Sequence, residues 1–198
     1  MMTAAPRGPA AARTIAAVLP PAVVWAVVLI LSPVLEYGLG RMVWWGTGAA
    51  FLLCFVPWAI VTWLDKRGDL RRGIERLGFG PLMVCTGVLM YGTLRAIQWL
   101  NGPLGLAAVI FGICGGFALM LIFRRAGPDW TCMTYGGAAA ILVLMAGMPG
   151  LICAVLLAAG VWAQTLLQPA RAGRFAVSAL AGAVVCGGIY ALLEQAVR

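Results

Sequence analysis

Charge is scarce in this chain of 198 residues: 10% of its side chains are Asp, Glu, Lys or Arg, where a soluble domain carries about 25%. Polar stretches long enough to fold as a soluble domain are missing as well. Of the 20 charged residues, eight (Asp65, Lys66, Arg67, Asp69, Arg71, Arg72, Glu75 and Arg76) lie within twelve consecutive positions. The chain as a whole is 63% hydrophobic, with a mean hydropathy of +1.00. A membrane-anchored globular enzyme is excluded, and one bundle of membrane helices remains. Histidine is absent altogether. Zinc sites, haem sites with a proximal imidazole, Ser-His triads and phosphohistidine chemistry therefore lack their usual ligand, base or nucleophile. Clustered cysteine is also wanting: Cys54, Cys85, Cys114, Cys132, Cys153 and Cys186 stand one to an apolar segment, with no C-x-x-C pair. They read as small buried hydrophobes rather than disulfides or metal ligands, so neither metal nor other cofactor is expected.

What is present is a series of apolar runs. An α-helix rises about 1.5 Å per residue and must cross about 30 Å of hydrocarbon, so each span needs about 20 apolar residues. The charged and Pro/Gly-rich breaks mark out spans over 14–35, 43–64, 77–99, 104–123, 130–145, a sixth that follows the Gly147-Met148-Pro149-Gly150 turn and ends near Leu167, and 175–193. The predicted fold is an all-α polytopic bundle of seven spans, or six if the short fifth and sixth do not both cross. Residues 1–13 form an N-terminal tail, 14–198 a single transmembrane domain, and 65–76 its charged loop. The first run is too long for a cleavable signal sequence and holds Pro20, Pro21 and Pro33, so it is read as a retained span. Trp44, Trp45, Trp58 and Trp63 flank the second span as interfacial anchors. Asn101-Gly102-Pro103 reads as a tight turn, Asp129 as a helix cap, and Gly112-x-x-x-Gly116 as a place of close helix approach. Arg95, near the end of its span, can snorkel to the headgroups, and Glu36 and Glu194 sit at wet span ends.

Seven spans divide the basic residues unevenly. Arg7, Arg13, Lys66, Arg67, Arg71, Arg72, Arg76, Arg124, Arg125, Arg171 and Arg174, 11 of the 14, fall on one side, leaving Arg41, Arg95 and Arg198 on the other. The positive-inside rule puts the larger group, with the N-terminus, in the cytoplasm. The single Lys and the abundance of Arg, Ala and Gly suggest a bacterial inner membrane. A net charge of +8 without aromatic-basic interleaving points to anionic lipid headgroups rather than nucleic acid.

The order of features resembles the type 2 phosphatidic acid phosphatase superfamily from about Pro21 to Leu193. That family carries a basic motif ending in Arg-Pro, a Ser-x-His at a helix start, and an Arg followed six residues later by His and ten later by Asp or a polar substitute. Here the first motif corresponds to Asp69-Leu70-Arg71-Arg72-Gly73-Ile74-Glu75-Arg76-Leu77, with Arg76 retained, Leu77 in place of Pro, and Asp69 where a Lys would stand. The second corresponds to Trp130–Gly137, with Met133 at the Ser position and Tyr135 at the His position. The third has Gln164 for Arg, Ala170 for His and Arg174 for Asp, while Ser178 and Gly182 keep the small-residue helix face.

The resemblance implies a helical lipid phosphatase fold, and the substitutions imply a member without catalysis. Family chemistry uses the last His as nucleophile and the middle His as general acid. Ala170 offers no nucleophile, and a phenol such as that of Tyr135, with a pKa of about 10, is a poor acid for a leaving group. No catalytic residue is expected. Arg76, Tyr135 and Arg174 are the expected remnants of a phosphate or lipid site, and the expected partners are membrane lipids, anionic or isoprenyl phosphate. Three other readings compete. The loop 65–76 can be a solvated connector whose charges set topology, and Tyr135 can be an interfacial aromatic. The whole chain can be a structural or assembly subunit without a ligand. A small transporter is a further possibility, weakened because no acid or base is placed at mid-membrane depth.

Overall fold

The computed structural model describes residues 10–38, 40, 42–66, 80–123 and 128–197. These residues form helices throughout: α1 (Ala10–Val18), α2 (Pro21–Tyr37), α3 (Val43–Ala50), α4 (Val56–Lys66), α5 (Gly80–Trp99), α6 (Leu104–Ile122), α7 (Trp130–Ala146), α8 (Met148–Leu167) and α9 (Ala172–Val197). Among the described residues, four stretches are long and apolar enough to cross a membrane: Val43–Ile60, Leu104–Ile122, Met148–Leu167 and Pro169–Ala196. Counting the bent pair α1 and α2 as one span gives five. The chain is an all-α integral membrane protein. Each of the seven expected runs carries helix where it is described, the first in two pieces, and α5 and the 17-residue α7 are the two beyond these five.

The first span is not one straight helix. Two consecutive prolines, Pro20 and Pro21, supply no N–H, and a proline ring collides with the carbonyl four residues back. The chain accordingly breaks there, and α1 and α2 meet at 51°. The helix also starts earlier than the expected tail boundary. Ala10, Ala11 and Ala12 belong to α1 and Ala12 is fully buried, as the high helix propensity of an alanine run favours. A third proline leaves its mark between α3 and α4. Pro57 cannot donate to the carbonyl of Leu53, and the preceding turn Phe51–Phe55 is a π-helix in which the Val56 N–H reaches the Phe51 carbonyl.

The chain groups into two compact units, Met1–Val24 with Phe111–Arg198, and Trp25–Ile110. In the second of these, Gly46 of α3 lies so close to α2 that a Cβ there would stand 2.9 Å from Pro33 Cγ. Asn101 takes φ +51° and the Gly102 N–H donates to the Ile97 carbonyl at 2.8 Å, closing α5 with a Schellman turn. The Glu36 carboxylate lies over Gly105, in the first turn of α6, where negative charge suits the helix dipole. Arg95 is exposed near the end of α5, 5.3 Å from the Trp99 ring and bonded to Gln98 Oε1 at 2.8 Å.

The other unit is built around α7, which packs against both α8 and α9. Small residues make this possible. A Cβ on Gly136 would strike the Ala179 backbone, one on Gly182 the Met133 backbone, and one on Gly150 the Leu142 backbone. Close backbone approach of this kind replaces the hydrophobic drive that is lost between helices in lipid. Gly112 and Gly116 of α6 both abut Cys186, so the small-xxx-small pair does bring helices together. Only Gly147, at φ +60°, separates α7 from α8, and Pro149 already sits in the first turn of α8.

Candidate functional site

The start of α7 is held from two directions. Asp129 Oδ1 accepts the Cys132 N–H at 2.9 Å, the expected N-cap, while the Asp129 N–H donates to Ser178 Oγ at 2.9 Å. The end of α8, the Pro169–Arg171 turn and the first turns of α9 therefore share one end of the unit with the start of α7. Cys132, Met133, Thr134 and Tyr135 follow the cap and are all buried.

Tyr135 is fully enclosed, so its reading as an interfacial aromatic does not hold. The reason is tertiary. Its phenol donates to the Leu19 carbonyl at 2.6 Å. That carbonyl is free because the Val23 N–H bonds to Pro20 instead. A continuous helix would have used it, so the proline break creates the acceptor that the phenol fills. Across the ring, Gly160 of α8 leaves room that a Cβ, 2.9 Å from Tyr135 Cε2, would remove. One turn further along the same face, Gln164 places its side-chain amide beside the phenol. The i, i+4 spacing of Gly160 and Gln164 thus seats both the ring and its polar end.

Two expected positions meet here. Tyr135 and Gln164, which stand where the resemblance would put a His and an Arg, are neighbours, and Gly182 opposes Met133 at the Ser position. Arg174 is elsewhere: it is exposed on the first turn of α9, as are Ala170 and Arg171 in the preceding turn. Tyr135 and Arg174 therefore do not share one exposed surface. Arg76 and the rest of residues 67–79 lie outside the described residues, as do Arg124 and Arg125. None of the six cysteines is in a disulfide: Cys54, Cys132 and Cys186 are buried, Cys114 and Cys153 half-buried, and Cys85 exposed. Among the described residues no cluster of His, Cys, Asp or Glu is arranged to hold a metal ion.

A feature the sequence analysis missed runs beside Tyr135. An open groove of about 910 Å³ lies between α8 and α9 and is floored by α7. Ala139 and Ala140 of α7, Ala154 and Ala158 of α8, and Ala179 and Ala183 of α9 line it. Alanines at i and i+4 on two of these helices were the available signal, but composition alone does not tell a seam from a groove. Comparison with family models, with curated proteins and with solved structures finds no match to this chain.

Proposed function

We propose that this protein is a catalytically inactive relative of the type 2 phosphatidic acid phosphatases that binds an anionic phospholipid at the basic end of the α7–α9 unit, and that this end faces the cytoplasm of a bacterium. The observation that carries the reading is the exposed pair Arg171 and Arg174 at the turn between α8 and α9. The acid at the same end, Asp129, is engaged with backbone N–H and does not occupy them. Each such cation near an anionic leaflet is worth about 1 kcal/mol, and a guanidinium can grip a phosphate through two hydrogen bonds where an ammonium cannot.

The inactivity rests on three positions. The Tyr135 phenol is committed to Leu19, Gln164 carries no charge to stabilise phosphoryl oxygens, and Ala170 has no nucleophile. The test is the phospholipid that co-purifies, measured by mass spectrometry for wild type, Arg174→Lys and Arg76→Lys. Anionic lipid is expected to fall severalfold in Arg174→Lys, and the wild-type protein is expected to release no phosphate from phosphatidate above a detergent blank. Equal anionic lipid in all three proteins would reject the site and favour a structural subunit whose arginines serve topology alone.

A further inference from the structure

The groove between α8 and α9 has the dimensions of a lipid chain in one leaflet. On α9 its lining runs from Ala176 to Gly188. Twelve steps at about 1.5 Å give about 18 Å, close to half of the roughly 30 Å hydrocarbon thickness. Its near end lies beside the basic turn. The lining of α9 begins two residues after Arg174, and that of α8 ends at Thr165, six residues before Arg171. The rim is apolar and turned outward, with Trp162 55% exposed, Leu180 67% and Val184 71%. The floor offers no charge, so nothing in it repels hydrocarbon.

We infer that this groove seats an acyl chain of a single phospholipid from the leaflet at its basic end, with the headgroup phosphate at Arg171 and Arg174. The headgroup half of this inference rests on the function proposed above; the chain half rests on the groove. Lipid bound in this way is held at two points. The arginines select charge, and the alanine floor admits a chain that larger side chains would exclude. The chain site accounts for alanine at Ala158 and Ala176, positions exposed to the outside where a membrane helix has no packing reason to avoid bulk.

The experiment keeps the two halves apart. Full-length protein in nanodiscs of equimolar phosphatidylglycerol and phosphatidylcholine is released in a mass spectrometer, and the lipid retained per protein is counted. Ala158→Trp and Ala176→Trp fill the groove from exposed positions. Val155→Trp places the same bulk on α8 at a residue that is 65% exposed and outside the lining. Total retained lipid is expected to fall at least fivefold in Ala158→Trp and Ala176→Trp and to be unchanged in Val155→Trp. The phosphatidylglycerol share is expected to fall in the double variant Arg171→Gln, Arg174→Gln. Unchanged total lipid in both groove-filling variants, or an equal loss in Val155→Trp, overturns the chain site whatever the headgroup share. A shift from dimer to monomer in Ala158→Trp overturns it too, because a second copy would then be the occupant. Equal shares of the two lipids in wild type overturn the anionic headgroup reading instead, and are distinguishable because total lipid still responds to the groove.

Discussion

Replacing Gly182 by Ala tests the seam that positions the whole candidate site. The new Cβ would lie 2.9 Å from both the carbonyl carbon and Cγ of Met133, and closer still to the carbonyl oxygen. Ordinary contact begins at 3.4 Å, so α7 and α9 must part by at least 0.5 Å, the difference of these two distances. The obstacle is backbone, which cannot swing aside as a side chain can. Overpacking of this kind costs about 1–3 kcal/mol. Gly188→Ala is the matched control, since a Cβ there meets nothing within 4 Å. Both variants gain the same helix propensity of about 1 kcal/mol, and their difference isolates the clash. For a chain of this length that difference corresponds to a melting temperature about 2–12 °C lower for Gly182→Ala. The assay is built in. Cys132 and Cys186 are buried near this seam, so a thiol-reactive fluorophore reports its opening during a thermal ramp, over the constant background of exposed Cys85. A Gly182→Ala protein that melts at or above Gly188→Ala would refute close backbone packing between α7 and α9.

Tyr135→Phe removes the donor to Leu19 and leaves a buried carbonyl unpaired. A loss of about 1 kcal/mol is expected for a hydrogen bond inside a membrane protein, read as a lower melting temperature in the same assay; an unchanged value would show that the bond contributes nothing. Gly173→Cys introduces a thiol in open space beside the basic turn to determine its side of the membrane. An impermeant maleimide is expected to label it in inverted vesicles and not in intact cells, and efficient labelling of intact cells above the wild-type level would reverse the assigned topology.

Much of the helix plan is local and therefore legible in the sequence. In lipid every backbone N–H and C=O must be satisfied within the chain, so an apolar run of sufficient length has little choice but to be helical. The runs from Val43, Leu104 and Phe175 are helices for that reason. Stop signals are equally local. Asp129 caps α7, Gly147 ends it, and the Asn101-Gly102 turn closes α5, because each depends on the φ range or the side-chain acceptor of one or two residues. The break at Pro20 and Pro21 was open to the same reasoning, although the length of the apolar run favoured a single span.

The candidate site depended on long-range placement. The partner of Tyr135 is 116 residues away, and no helical periodicity can reveal that Leu19 has a carbonyl to spare. Whether Tyr135 sits at an interface or in a core was likewise undecidable from its neighbours Thr134 and Gly136, since α7 is apolar on every side. The alanines showed that helices can approach closely. Only the tertiary structure decided where they do, along the Gly136 and Gly182 seam, and where they part to leave a groove. Approach and parting use the same small residues, and the difference between them is set by helix crossing, which the order of side chains along one helix does not encode.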